Sequence, residues 1–92
     1  MTQVFIGDVG TEIILDCGED VSTSTIMKVI ARGPRMVKKE WDAVLESTTE
    51  IKYAIEAGDF DQCGLWKLQA YVEMPGWKGY GAIADLVIEA PL

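Results

Sequence analysis

Fifteen carboxylates and no histidine set the chemical scope of this 92-residue chain. Paired carboxylates can cleave glycosidic bonds when they flank a cleft at a separation of about 5–10 Å. The acids to consider are Glu19, Asp20, Asp59 and Asp61. All four lie in short turn sequences, and no long loop is present to build a cleft around them. Asp59 and Asp61 also have the alternate spacing that opens a calcium loop, but the glycine and the closing glutamate of such a loop are missing. The simplest reading is solvated turn acids. The absence of histidine removes the commonest general base and the commonest metal ligand. Ser22, Ser24 and Ser47 therefore have no partner to activate them. Two distant cysteines cannot make a zinc site. Gly76, Gly79 and Gly81 resemble a phosphate-binding loop, yet no helix follows to supply its dipole. No catalytic residue, metal site or cofactor is expected, and the chain is not read as an enzyme.

The elements that would carry these residues are strands. Trp66, Leu68, Ala70 and Val72 fall at every second position, with Lys67, Gln69 and Glu73 between them. That alternation places the two sets on opposite faces of an extended segment. The same pattern gives strands over 2–6, 11–17, 26–31, 39–46, 51–55, 64–73 and 81–90. Turn signals separate them at intervals of about ten residues, as in a sandwich or barrel. A single helical turn over 58–62, capped by Asp59, is the best place for helix. The predicted architecture is one domain over 1–92, an all-β, immunoglobulin-like antiparallel sandwich of about seven strands. The first, second, fourth and fifth strands would form one sheet, and the third, sixth and seventh the other. Trp41, Tyr53, Trp66 and Leu68 would anchor the core. Cys17 would end the second strand and Cys63 begin the sixth, at opposite ends of such a sandwich. Free thiols are therefore expected.

Lys and Arg number 8 against 15 Asp and Glu, giving a formal charge of −7. An acidic surface repels phosphate backbones, so no nucleic-acid partner is expected. The one basic cluster is Arg32, Arg35, Lys38 and Lys39 around Gly33-Pro34. It reads as a solvated hairpin tip or as a contact for an acidic neighbour, including another copy of the chain. No run reaches the roughly 18 apolar residues of a membrane span, and the N-terminus lacks the pattern of a signal peptide. The expectation is a protein made in the cytoplasm with no membrane partner.

Three features are awkward for a lone monomer. Trp77 and Tyr80 sit in the connection over 74–81, and these residue types are enriched at interface hot spots. Tyr71, Ile83 and Val87 should point away from the core as an apolar stripe. Val4, Phe5 and Ile6 form a short apolar edge near a free end, suited to strand addition. Trp77, Tyr80, Tyr71, Ile83, Val87 and Phe5 are the expected partner contacts.

The order Gly7-Asp8, Ile13 and Leu15, Met27-Lys28, Trp41, Ile51-Lys52-Tyr53, then 64–70 as Gly-Leu-Trp-Lys-Leu-Gln-Ala, resembles small immunoglobulin-like domains of tailed-phage virion proteins. The nearest likeness is to the N-terminal domain of baseplate upper proteins, which dock receptor-binding fibres onto a tail. Those adaptors continue into a helical or fibre region, whereas this sequence stops at Leu92. The resemblance therefore implies a small adaptor or decoration subunit of the tail, baseplate or fibre attachment region. Its place would be the virion, after synthesis in the host cytoplasm. Its partners would be other virion proteins, in multiple copies of a symmetric assembly. The alternatives are a capsid decoration protein, or a carbohydrate-binding module that stacks a glycan on Trp77 and Tyr80.

Overall fold

Along Glu12–Asp16 only Ile13 and Leu15 are buried, and the residues beside them face solvent. Side chains alternate between the two faces of a strand, so one face can be dry while the other stays wet. The computed structural model, which describes residues 4–90, has eight strands. They are β1 (Val4–Phe5), β2 (Glu12–Asp16), β3 (Ile26–Arg32), β4 (Lys38–Asp42), β5 (Val44–Leu45), β6 (Glu50–Ala54), β7 (Gly64–Met74) and β8 (Trp77–Glu89). A 3₁₀ turn at Pro34–Met36 joins β3 to β4 and is the only helical segment among the described residues. Thr2, where the first expected strand begins, lies outside the described residues.

The strands form a five-stranded sheet in the order β1-β8-β7-β3-β4 and a three-stranded sheet in the order β2-β6-β5. The chain is all-β, but its pairing departs from the expectation in three places. The segment over 39–46 is two strands, not one. Trp41 of β4 stays with the large sheet opposite Val29, whereas Val44 and Leu45 of β5 pair with Lys52 and Ile51 of the small one. The crossing is at Ala43, whose N–H donates to Met27 O at 2.9 Å. The first strand joins the large sheet, and it runs parallel to β8, with Val4 opposite Ile88 and Phe5 opposite Glu89. The sheet is therefore mixed rather than antiparallel throughout. Burial explains this placement, because Val4 is 3% exposed and packs into the core. Finally, the stretch over 74–81 is not a loop. Pro75-Gly76 alone turns the chain, with Gly76 at φ +79°, and β7 and β8 run on past the core. A proline followed by a left-handed glycine suits a tight turn.

The inner faces of the two sheets meet in one cluster that includes Ile13, Leu15, Val29, Ala31, Ile51, Trp66, Leu68, Ala70, Val72, Leu86 and Ile88. Val21 and Phe60 enter it from connections. Trp66 and Leu68 are fully buried. Trp41 and Tyr53 are half-buried and stack on each other, with ring centroids 5.1 Å apart and planes 7° apart. Phe60 fills the gap between this stack and Trp66, meeting Trp66 edge-on at 4.9 Å. These contacts tie both sheets to the connection between β6 and β7. Offset and edge-on aromatic pairs add about 0.5–1.5 kcal/mol each beyond burial.

The same connection absorbs the acids that the sequence offered for chemistry. The Tyr53 hydroxyl donates to the Asp59 carboxylate, which also accepts from Glu56 N–H at 2.8 Å. Lys39 donates to the carbonyls of Gly58 and Asp59 and lies 3.6 Å from Asp61. Asp59 thus closes a turn rather than capping a helical one. Burial pushes the Tyr53 hydroxyl well above its ordinary pKa of 10.0, and the hydrogen bond and charge of Asp59 add to this. Its stabilising effect is complete below the unfolded value of about 10 and is lost as pH rises beyond it. The urea midpoint should accordingly hold to about pH 9.5 and then fall. Tyr53→Phe should make that fall shallower. An unchanged alkaline slope in the variant would contradict the assignment.

Candidate docking face

The outer face of the large sheet follows from its register. Leu65 pairs with Val87, Lys67 with Asp85, Gln69 with Ile83, Tyr71 with Tyr80 and Glu73 with Lys78. Directly opposed residues in an antiparallel pair share a face. Because Trp66, Leu68, Ala70 and Val72 point inward, all of these pairs point outward. Leu65, Tyr80, Ile83 and Val87 are half to nearly two-thirds exposed. They make an apolar stripe along the β7–β8 hairpin, crossed by one ion pair, Lys67–Asp85, at 2.8 Å.

Two local devices fix this stripe. The register shifts between Gln69 and Tyr71, where β8 carries one extra residue. Such a bulge sharpens the twist and re-aims side chains. Gly81 sits at the bulge, within 3.4–3.5 Å of Asp16 O, Ala70 and Cys17 for any added Cβ. The Gln69 amide donates to Gly81 O at 2.9 Å and holds the distorted segment. Beyond the bulge, the rings of Tyr71 and Tyr80 lie 5.0 Å apart, tilted by 48°. The Tyr71 hydroxyl donates to Glu73 at 2.7 Å, a bond that pushes its pKa up to about 12. Tyr71 is thereby held in place.

The remaining expected contacts lie elsewhere. Trp77 pairs with Met74, and its ring covers Gly79, which pairs with Val72. Trp77 therefore belongs to the inner side of the hairpin, opposite the side that carries Tyr80. The hydrophobic signal of the two aromatics is visible in the sequence, but their separation onto two faces depends on the two-residue turn. Phe5 is half-buried on β1, with its N–H bound to the Asp8 carboxylate at 3.0 Å. Ile6 N–H donates to Glu89 O at 2.9 Å, so this edge is already paired on one side.

One row across the outer face is basic. Lys38 of β4 is opposite Arg32 of β3, and Arg32 is opposite Lys67 of β7. Lys67 in turn faces Asp85. The three cations of the row, with Ile30, Leu68, Gln69, Tyr80 and Ile83, line a groove of about 330 Å³. The sequence pointed to a basic cluster around Gly33-Pro34, but Lys67 joins it only through the pairing of β3 with β7. Arg35 and Met36 sit at the tip of the connection, both with positive φ.

No grouping of three metal-ligating side chains occurs among the described residues. Asp20 accepts from Ser22 N–H at 2.9 Å and from its hydroxyl at 2.6 Å, which holds its carboxyl below the usual range. Cys17 and Cys63 are free thiols. Burial and the nearby Asp16 charge push the Cys17 thiol up, which makes it a poor nucleophile. The arrangement is all-β, in two sheets, and the outer face of the larger one is mixed apolar and basic. No family model, curated protein or solved structure matches the chain significantly.

Proposed function

We propose that this chain is a small docking subunit of a tailed-phage virion, an adaptor or decoration protein of the tail, baseplate or fibre attachment region. It would bind neighbouring virion proteins through the outer face of its five-stranded sheet. The observation that carries the docking reading is the exposed stripe of Leu65, Val87, Ile83 and Tyr80, fixed on a rigid hairpin. Exposed apolar surface on a strand face favours burial against a partner. Rigid aromatics such as Tyr80 lose little conformational freedom on binding. The virion setting comes from the sequence resemblance. An immunoglobulin-like fold belongs to the same proposal. It is supported by the order β8-β7-β3-β4 facing β2-β6-β5, which follows the two sheets of that fold with an added strand beside the third.

A glycan platform is less well supported. Trp77 and Tyr80 lie on opposite sides of the hairpin, so one sugar cannot stack on both. Tyr71 and Tyr80 share a face, but their rings are tilted rather than coplanar.

The test is a double substitution, Tyr80→Ser with Ile83→Ser. Incorporation into purified particles should fall by at least about tenfold, the effect of losing one hot-spot residue or more. The far-UV spectrum should not change, because both side chains are exposed. Trp77→Ser, on the other side, should leave incorporation intact. Full incorporation of the double variant would refute the docking face. Labelling of the particle then separates a tail or baseplate position from a capsid decoration protein.

A further inference from the structure

We infer that the groove on the outer sheet face binds an extended acidic segment of a partner protein. Lys38, Arg32 and Lys67 would hold its carboxylates, and Ile30, Ile83 and Tyr80 its apolar side chains. This inference rests on the outer face being the docking surface and adds the chemistry of what docks there.

Three cations stand in a row across this face. Cross-strand neighbours on one face have Cβ atoms about 5 Å apart, and like charges at that position destabilise a sheet. Here two such pairs stand side by side, Lys38 with Arg32 and Arg32 with Lys67. They do so in a chain with only 8 basic residues and a formal charge of −7. Only Lys67 of the three has a carboxylate within ion-pair distance among the described residues, namely Asp85. A row of mutually repelling cations makes sense when an anion is shared between them. Arg32 and Lys38 would then act as charge-assisted donors.

The surroundings define the kind of anion. Glu40 lies one position along the same face of β4, beside Ile30 and paired with Lys28 at 4.0 Å, and Asp85 closes the row at its other end. The positive area is therefore narrow and bounded by acids, which suits one or two carboxylates better than a continuous phosphate backbone. The adjoining wall is apolar, formed by Ile30, Ile83 and Tyr80. A partner strand that alternates acidic and aliphatic side chains meets both walls at once.

Fluorescence anisotropy of a labelled alternating Glu-Leu hexapeptide tests this at low salt. The wild-type chain should bind it, with affinity falling as salt is raised. Arg32→Glu with Lys38→Glu should weaken binding about tenfold or more. Its thermal midpoint should stay near that of the wild type, because reversal at position 32 turns the repulsion from Lys67 into attraction while the opposed pair at positions 32 and 38 keeps like charges, now both acidic. The matching Lys-Leu peptide should not bind. Equal affinity of the charge-reversed variant, or tighter binding of single-stranded oligothymidine than of the acidic peptide, would overturn the inference. Particle incorporation separates it from the docking reading. If the charge-reversed variant incorporates normally while Tyr80→Ser with Ile83→Ser does not, the docking face stands and the acidic partner falls.

Discussion

Trp66→Ala is expected to lower the unfolding free energy by about 3–5 kcal/mol, the range for truncating a large buried aromatic. Against a typical total of about 5–15 kcal/mol, this brings so small a domain close to its limit. The size follows from what the ring touches. Trp66 is 0% exposed. Phe60 meets it edge-on, and its indole N–H donates to Gln62 O at 2.9 Å. Gly33 lies against its face so closely that an added Cβ would stand 2.6 Å from the ring. Removal opens a cavity among rigid neighbours, because Gly33 and Phe60 belong to connections already pinned by Pro34, Lys39 and Asp59. A urea titration followed by circular dichroism measures the loss. Trp66→Phe should recover most of it, leaving about 1–2 kcal/mol for the unfilled volume and the unpaired Gln62 carbonyl. A loss under about 1 kcal/mol for Trp66→Ala would mean that the core does not close around this residue.

The residues that were legible in the sequence are those with a strong period of two. Trp66 to Val72, Ile13 with Leu15, and Leu86 with Ile88 each point inward as their alternation requires. The outward set, including Ile83 and Val87, follows from the same arithmetic. Three things were not legible, and each depends on a contact distant in sequence. Alternation over 39–46 is unbroken, so it cannot show that the strand leaves one sheet for the other at Ala43. That exchange is decided by which neighbour each half can reach. The side of the sheet joined by Val4 and Phe5 is set by the burial of Val4 against Ile88, not by any local signal. Phe60 lies between two aspartates and looks solvated, yet it is buried because Trp41 and Trp66 leave a space of its size. The outer face of the large sheet was legible in half. Ile83 and Val87 follow from periodicity, whereas Tyr80 reaches this face only through the bulge and the cation row requires the register between β3, β4 and β7.

Gly64→Ala is expected to cost about 2–6 kcal/mol, from two separable sources. Gly64 has φ +128°, a backbone region that costs a residue with a Cβ about 1–3 kcal/mol. An added Cβ would also lie 2.9 Å from Cγ of Pro34, an overpacking of about 1–3 kcal/mol. Gly76 provides the comparison, since its φ is +79° but nothing lies within 4 Å of an added Cβ. Gly76→Ala should therefore show the backbone share alone, about 1 kcal/mol. Pro34→Ala on top of Gly64→Ala should return the steric share and leave the backbone share, so the two changes should be non-additive in a double-mutant cycle. The same pair bears on the groove. Pro34 opens the short turn that brings Lys38 back beside Arg32, and Gly64 allows that turn to rest on the start of β7. Pushing Pro34 away would spread the cation row, so Gly64→Ala should weaken acidic-peptide binding even where enough of the protein stays folded to measure it. Additive stabilities, or unaltered peptide affinity in folded Gly64→Ala, would show that the Pro34 turn and the groove are independent of this contact.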